Sequence, residues 1–281
     1  MKFTKMQGCG NDYIYIYTGE EAVTDKPELA RRLSDRNFGI GGDGVIFINP
    51  TEKADFEMEM YNADGSYGAM CGNGIRCVAK YVYDNGLTDK NPVTIESGGS
   101  LKTLYLTVAN GKVEKVRVDM GKPEFRPDKI PADTGAFAEC GGDSIVNAMY
   151  TVNGRDYRVT AVSMGNPHAV IFTNDADSLD LVRDGPLFEH HKAFPEGVNT
   201  EFIKVLDWES IRMRVWERGS GETLACGTGA CSAVAACVLN GLTGRSVKVF
   251  LKGGELDIEW NEEDGHIYMT GPAVTVFRGE I

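Results

Sequence analysis

Two tetrapeptides in the chain have residues of a type and spacing that could do chemistry: Cys71-Gly72-Asn73-Gly74 and Cys226-Gly227-Thr228-Gly229. In each, a cysteine and a glycine open a stretch that reads as a helix, running to Asn85-Gly86 in the first case and Asn240-Gly241 in the second. A helix start exposes unpaired N–H groups and the positive end of the helix dipole, so it favours an anion. A thiol placed there is a usable base or nucleophile, and the same N–H groups can hold a carboxylate. A lone free cysteine is more often a small buried hydrophobe. Two cysteines in matching positions, each before a glycine at a helix start, favour the chemical reading. Cys77, Cys231 and Cys237 lie inside the helices and read as core, while Cys9 and Cys140 carry no argument of their own.

The two tetrapeptides belong to a longer repeat. Shifted by the 155 positions that separate Cys71 from Cys226, Gly10-Asn11 falls on Gly165-Asn166, and Phe47-Ile48 on Phe202-Ile203. Under the same shift Met58 falls on Met213, Asn85-Gly86-Leu87-Thr88 on Asn240-Gly241-Leu242-Thr243, and Gly98-Gly99 on Gly253-Gly254. The register holds without a gap from Gly10 to Leu101 against Gly165 to Leu256, so the chain reads as two copies of one unit. Such units usually pack about a pseudo-two-fold axis, each presenting its cysteine-bearing helix start to the other. The repeat also pairs Asn11 with Asn166, Asn62 with Glu217, and Gly44 with Asn199. A single asparagine is most simply a turn residue; paired positions in loops near both thiols favour ligand contact. Glu217-Arg218 could be a solvated surface pair, but Arg can grip a carboxylate and Glu can accept from an ammonium. His168, two residues from Asn166, suits tuning of a thiol. His190, His191 and His266 lack metal spacing, and no metal site is expected.

The elements that would position these groups are legible. A first strand is expected at Ile14–Tyr17 and a helix from Asp25-Lys26-Pro27 to about Asp35. Gly39-Ile40-Gly41-Gly42-Asp43-Gly44 matches the dinucleotide fingerprint, but it follows a helix and opens a strand, so it reads as a tight turn. Phe56–Met60 alternates as a half-buried strand. Further strands are expected at Val93–Ile95, Leu101–Ala109 and Val113–Val118, the last two joined at Asn110-Gly111. Gly121–Pro131 reads as a crossover, and Ala273–Arg278 as one more strand. The helix from Gly229 to Leu239 is apolar nearly all round and needs strands on every side. The expected class is α+β: two pseudo-symmetric domains, each a curled, mainly antiparallel sheet or barrel around a central helix.

The composition bounds the partners. A length of 281 residues suits two domains. A net charge of −12 argues against nucleic acid or an anionic membrane, though not against a small anionic substrate. No apolar run reaches the length of a membrane span, and the N-terminus lacks a signal-peptide core. Seven cysteines with no Cys-x-x-Cys, and no usable glycosylation sequon, point to a reducing cytoplasm.

Two acid–base thiols suit racemisation, in which one removes an α-proton and the other returns one to the opposite face. Helix starts aimed at the substrate carboxylate would stabilise the charge that builds there. At this point the chain resembles the diaminopimelate epimerase family. The resemblance rests on Gly8-Cys9-Gly10-Asn11-Asp12, Asn62-Ala63-Asp64-Gly65-Ser66, Cys71 through Cys77, Met164-Gly165-Asn166-Pro167-His168, Gly197-Val198-Asn199, and Glu217-Arg218-Gly219 with Cys226 through Ala230. It implies cofactor-independent interconversion of LL- and meso-2,6-diaminopimelate, with Cys71 and Cys226 as the acid–base pair. It further implies that Gly72, Asn73, Gly227 and Thr228 offer backbone N–H groups to the reacting carboxylate. Asn11, Asn62, Asn166, Asn199, Glu217 and Arg218 would bind substrate, and His168 and Glu217 would adjust thiol pKa. The implied domains are 1–119, joined by a returning strand at 271–281, and 120–270; a homodimer is left open. Gly44 departs from members that carry Gln there, so only backbone contact is assigned to it. The rival within thiol racemases is a proline or hydroxyproline epimerase, which resembles this chain in symmetry but usually has Cys-Gly-His-Gly at the first site. A metal-binding or redox-sensing thiol protein and a pyridoxal-phosphate enzyme are the alternatives from other classes.

Overall fold

The computed structural model describes residues 1–68, 70–140 and 142–281. The chain divides into two compact units, one of Met1–Asp119 with Thr270–Ile281, the other of Met120–Met269. The first contains β1 (Lys2–Gly8), β2 (Asn11–Tyr17), α1 (Lys26–Ser34), β3 (Gly44–Asn49), β4 (Phe56–Asn62), β5 (Tyr67–Gly68), α2 (Gly72–Asp84), β6 (Val93–Ser97), β7 (Ser100–Ala109) and β8 (Lys112–Gly121). The chain then forms β9 (Ala148–Val152), β10 (Arg155–Ser163), β11 (Pro167–Phe172), α3 (Leu181–Glu189), β12 (Asn199–Asp207), β13 (Ser210–Glu217), β14 (Gly221–Glu222), α4 (Gly227–Leu239), β15 (Ser246–Leu251), β16 (Gly254–Trp260), β17 (Ile267–Pro272) and β18 (Val274–Glu280).

The two units repeat one plan. In the first, β1–β2 pair antiparallel, β2–β3 parallel, β3–β4 antiparallel, β4–β6 parallel and β6–β7 antiparallel. In the second, β10–β11, β11–β12, β12–β13, β13–β15 and β15–β16 follow the same series of directions. The helices match residue for residue under the offset of the sequence repeat: α1 with α3, and α2 with α4. Their caps match as well. Asp25 and Asp180 each accept from the N–H three residues on, at 3.1 and 3.2 Å. At the other end of α2 and α4, Gly86 and Gly241 take positive φ, and the N–H groups of Leu87 and Leu242 reach back to Val82 and Cys237 at 2.9 Å.

Alternation decides which side chains reach the site. β3 is buried along its whole length, because the sheet is covered on both faces. Val45 and Phe47 join Ile14, Ile16, Leu29, Ala30 and Leu33 in a core under α1. The alternate residues of β2 and β3, among them Tyr15 and Ile46, face α2 instead, Tyr15 donating to Gly74 O at 3.3 Å and Ile46 lying against Gly74. α2 packs on β1, β2, β6 and β7; α4 packs on β10, β11, β12, β13 and β16. The apolar helix α4 is buried at Gly227 and from Gly229 through Cys237, as its composition requires.

One expectation needs correction. The first strand is Lys2–Gly8, ahead of the Ile14–Tyr17 run expected to lead the fold. Its period is masked by Lys5, which is buried, ion-paired with Asp12 at 2.5 Å and bonded to Gly41 O. The predicted tail strand is β18, which pairs antiparallel with β1. The glycine-rich turn Gly39–Gly44 leads into β3, and Asn110-Gly111 turns β7 into β8 with both residues at positive φ.

Candidate active site: two cysteine-capped helix starts

Each unit places its cysteine at the N-cap of its inner helix. Cys71 and Cys226 have nearly the same extended backbone, φ −132° and ψ 114° against φ −119° and ψ 115°. The glycine three residues on leaves room for a close side-chain neighbour. A Cβ at Gly74 would meet Ile46 Cδ1 at 2.7 Å, and one at Gly229 would meet Glu201 Oε1 at 2.6 Å. This is the physical content of the Cys-Gly-x-Gly pattern: the sulfur folds back over the first turn, where a side chain would otherwise stand.

Cys71 has two neutral hydrogen-bond partners in Gly74 and Asn11. The Gly74 N–H donates to Sγ at 3.3 Å, and the thiol donates to Asn11 Oδ1 at 3.1 Å. The Tyr13 hydroxyl lies within hydrogen-bonding reach of Asn11 and Cys71, and burial, followed by a charge on Cys71, pushes its pKa up, so it remains a phenol. Asn11 is oriented by Asp43, whose Oδ2 accepts from Nδ2 at 2.7 Å. Asp43 is also held by Arg36 at 2.9 Å. Asp12, beside it, is partly buried, which alone would raise its pKa; hydrogen bonds and charge from Arg36 and Lys5 outweigh that and hold the carboxyl below its usual range.

Around Cys226 the partners are acidic. Burial first, then the nearby Glu217 and Glu201 carboxyls, push this thiol well above its usual value, with Thr228 opposing. Cys226 is 5% exposed, and no side-chain capping bond reaches its sulfur. Thr228 Oγ1 lies 3.6 Å from Sγ and accepts from Asn166 Nδ2 at 3.3 Å. Asn166 Oδ1 lies 3.0 Å from His168 Nε2, and His168 Nδ1 lies 2.7 Å from Glu201 Oε1. His168 and Glu201 are both fully buried. Glu217 accepts a hydrogen bond from the Thr223 hydroxyl.

The remaining residues expected from sequence divide in two. Asn11, Asn62, Asn166, Glu217 and Thr228 are partly exposed and Arg218 is exposed. Asn73 and Asn199 are buried. The Asn73 side chain accepts from Arg76 at 2.9 Å. Asn199 donates to Pro167 O at 2.8 Å and accepts from the Arg218 N–H at 3.0 Å. Asn62 donates to Ser66 at 3.0 Å within its turn. At Gly44, the repeat mate of Asn199, a Cβ would lie 2.1 Å from Tyr61 O, so no side chain fits. Sequence reasoning missed Asp43, Arg76 and Glu201. Arg76 is fully buried and ties Gly72 O, Asn73 and Pro272 O together at the start of α2. The signal for Glu201 was present: a carboxyl beside Phe202-Ile203 in a strand, where the repeat mate is Ile46.

No group of three or more His, Cys, Asp or Glu suited to a metal occurs among the described residues. No helix among them is long and apolar enough to cross a membrane.

The same elements recur in known proteins. In solved structures, a hydroxyproline epimerase from Agrobacterium vitis superposes with a TM-score of 0.67 at 14% identity, over 100% of this chain and 90% of that one. A phenazine biosynthesis protein of the PhzF family from Bacillus anthracis gives 0.70 at 14% identity, over 100% and 98%. At such identities the likeness is one of fold. In sequence, a diaminopimelate epimerase from Desulfovibrio desulfuricans is 55% identical over 280 residues, covering 100% of this chain and 98% of the relative. One from Acetivibrio thermocellus is 51% identical over 281 residues, covering 100% and 98%. The family model described as diaminopimelate epimerase matches residues 3–126 and 160–276, which take in both cysteine-capped helix starts. The chain belongs to the diaminopimelate epimerase family.

Proposed function

We propose that this protein interconverts LL- and meso-2,6-diaminopimelate, with Cys71 and Cys226 as the acid–base pair and no cofactor in the proton transfer. The observation that carries the reading is the equivalence of the two N-cap cysteines on equivalent 13-residue helices. Epimerisation at an α-carbon needs a base on one face and an acid on the other. Reversal of the reaction exchanges the roles, which suits two copies of one device.

The difficult step is removal of a weakly acidic α-proton, because negative charge then builds on the substrate carboxylate. Backbone N–H groups in the first turns of α2 and α4, at Gly72, Asn73, Gly227 and Thr228, are preorganised donors for that charge. The amides of Asn11 and Asn166 are already held in fixed orientations, so binding need not order them. Glu217 and Arg218 supply charges of both signs for the ammonium and carboxylate of a substrate that is polar at both ends. The surroundings of Cys226 favour its thiol, the form that donates; at Cys71 the Gly74 N–H points at the sulfur and would stabilise a thiolate formed there. The reaction then consumes one thiolate and regenerates the other. A cytoplasmic site suits thiols that must stay reduced.

The test is turnover of diaminopimelate stereoisomers beside proline and hydroxyproline, run in deuterated water. The expected result is turnover of diaminopimelate alone, with early product deuterated at the inverted centre and recovered substrate unlabelled. Early label in recovered substrate would replace the two-thiol scheme with a single exchanging base, and preferred turnover of proline would overturn the substrate.

A further inference from the structure

A line of hydrogen bonds in the second unit begins at a fully buried acid and ends at a thiol. Glu201, His168, Asn166, Thr228 and Cys226 follow one another at 2.7, 3.0, 3.3 and 3.6 Å. In the first unit the counterparts of these five residues are Ile46, Tyr13, Asn11, Asn73 and Cys71, so no acid stands at the place of Glu201. The line extends the acid–base reading above and rests on it.

Its donors can be assigned from its ends. Asn166 gives its amide hydrogen to Thr228, so its carbonyl oxygen faces His168 and needs a donor from Nε2. With the Nε2 proton in place, Nδ1 of a neutral ring must accept, and Glu201 Oε1 must donate. The other carboxyl oxygen of Glu201 supports this protonated form: Oε2 is buried and has no hydrogen-bond partner among the described residues. A carboxylate with one bare oxygen in such a place would cost more than a neutral acid. Burial also acts to keep Glu201 protonated. The Thr228 hydroxyl, accepting from Asn166, is left with its own proton to offer to sulfur. Every donor in the series then points from the core toward Sγ.

We propose that Glu201 is a positioning residue for the reaction: acting through His168, it fixes the direction of the donor series Asn166–Thr228 that ends at Cys226. Without it, the His168 proton and the Asn166 amide are free to reverse. The Thr228 hydroxyl would then no longer be committed to the thiolate formed when Cys226 gives up its proton.

The test uses the full-length enzyme. Glu201→Ile installs the residue found at the equivalent place in the first unit. It is expected to lower kcat by about 10–100-fold, the range typical of carboxylates that orient a reactive histidine in metal sites, with a smaller change in KM. Glu201→Gln can still donate to Nδ1 and is expected to restore kcat to within a few-fold. In an Asn166→Ala background, Glu201→Ile should add little, because the two act in series. Full activity of Glu201→Ile, or multiplicative losses with Asn166→Ala, would overturn the proposal. If Glu201→Ile does not fold, the 15N spectrum of the histidine rings in the parent enzyme decides: the expected state is a His168 proton on Nε2, and a bare Nε2 with the proton on Nδ1 overturns the proposal. Cys226→Ala separates the two levels. If that variant stays active, the acid–base reading itself fails; if it is inactive while the Glu201 results are negative, only the positioning role falls.

Discussion

The two cysteine-capped helix starts share a backbone and differ in what lies beneath them. Under Cys71 lie an isoleucine, a tyrosine and an asparagine steered from the side by Asp43. Under Cys226 lie a glutamate, a histidine and an asparagine joined in series. The capping bond differs too: the Gly74 N–H reaches the sulfur of Cys71, whereas Cys226 has no side-chain capping bond. One scaffold thus supplies a thiol bonded to the neutral Gly74 N–H and Asn11 Oδ1 and a thiol beside two carboxyls. Duplication accounts for the matching backbones of the two starts, and divergence of a few inward-facing residues accounts for their different surroundings.

The strongest challenge to this comparison removes one sulfur at a time. Cys71→Ala and Cys226→Ala should each lower kcat by at least about 10³-fold, within the range general acid–base groups supply; steady-state assays in both directions would detect a half that is dispensable. Next in size is the steering of the asparagines. Asp43→Ala releases Asn11 and should cost roughly 10²-fold in kcat/KM, as small misplacements of binding groups do. A loss in Asp43→Ala far below that in Asn11→Ala would remove Asp43 from the site. Smaller again is the effect of filling the space over the first turn. Gly229→Ala drives a methyl onto Glu201 Oε1, which His168 pins, and should lower stability by about 1–3 kcal/mol. Gly74→Ala meets the flexible end of Ile46 at 2.7 Å and Cys71 Cβ at 3.3 Å, and should fall at or below the lower limit. Urea midpoints would rank the two, and the reverse order would show the acid side to be the softer.

The smallest expected effect is in pH dependence. The folded pKa of Cys226 lies above its ordinary value of 9.0. The folded state therefore holds this proton after the unfolded chain has lost it. The resulting stability is fully present below about pH 9 and is lost as pH rises toward the folded value, at no more than about 1.4 kcal/mol per unit. Unfolding curves between pH 8 and pH 10.5, taken as ~0.5-unit steps, should fall more steeply for the parent than for Cys226→Ala. Parallel curves would mean the thiol is not held in its neutral form.

Much of this was legible in the chain before any coordinates. The 155-residue offset located both helix starts, because a duplicated fold conserves turns and caps that need glycine, asparagine or aspartate. Strand β1 was not legible, since Lys2 and Lys5 hide its apolar face and Lys5 is neutralised by Asp12, seven residues on. Glu201 and Asp43 were passed over for a related reason. A carboxyl in a strand or turn reads as solvated until the histidine or asparagine that satisfies it is seen beside it. For Asn199 the motif showed a polar group but not its local partners: its amide donates to Pro167 O and accepts from the Arg218 N–H.

The pairing of β18 with β1 bears on how the protein is made. During synthesis the ribosome releases residues 1–119 long before residues 274–280, so β1 emerges with one edge unpaired. The contiguous unit 120–269 has all its strands in hand earlier. Maturation is then ordered back to front, with the half translated first completed last, and the nascent first half is the stretch most exposed to sticking to its neighbours on a polysome.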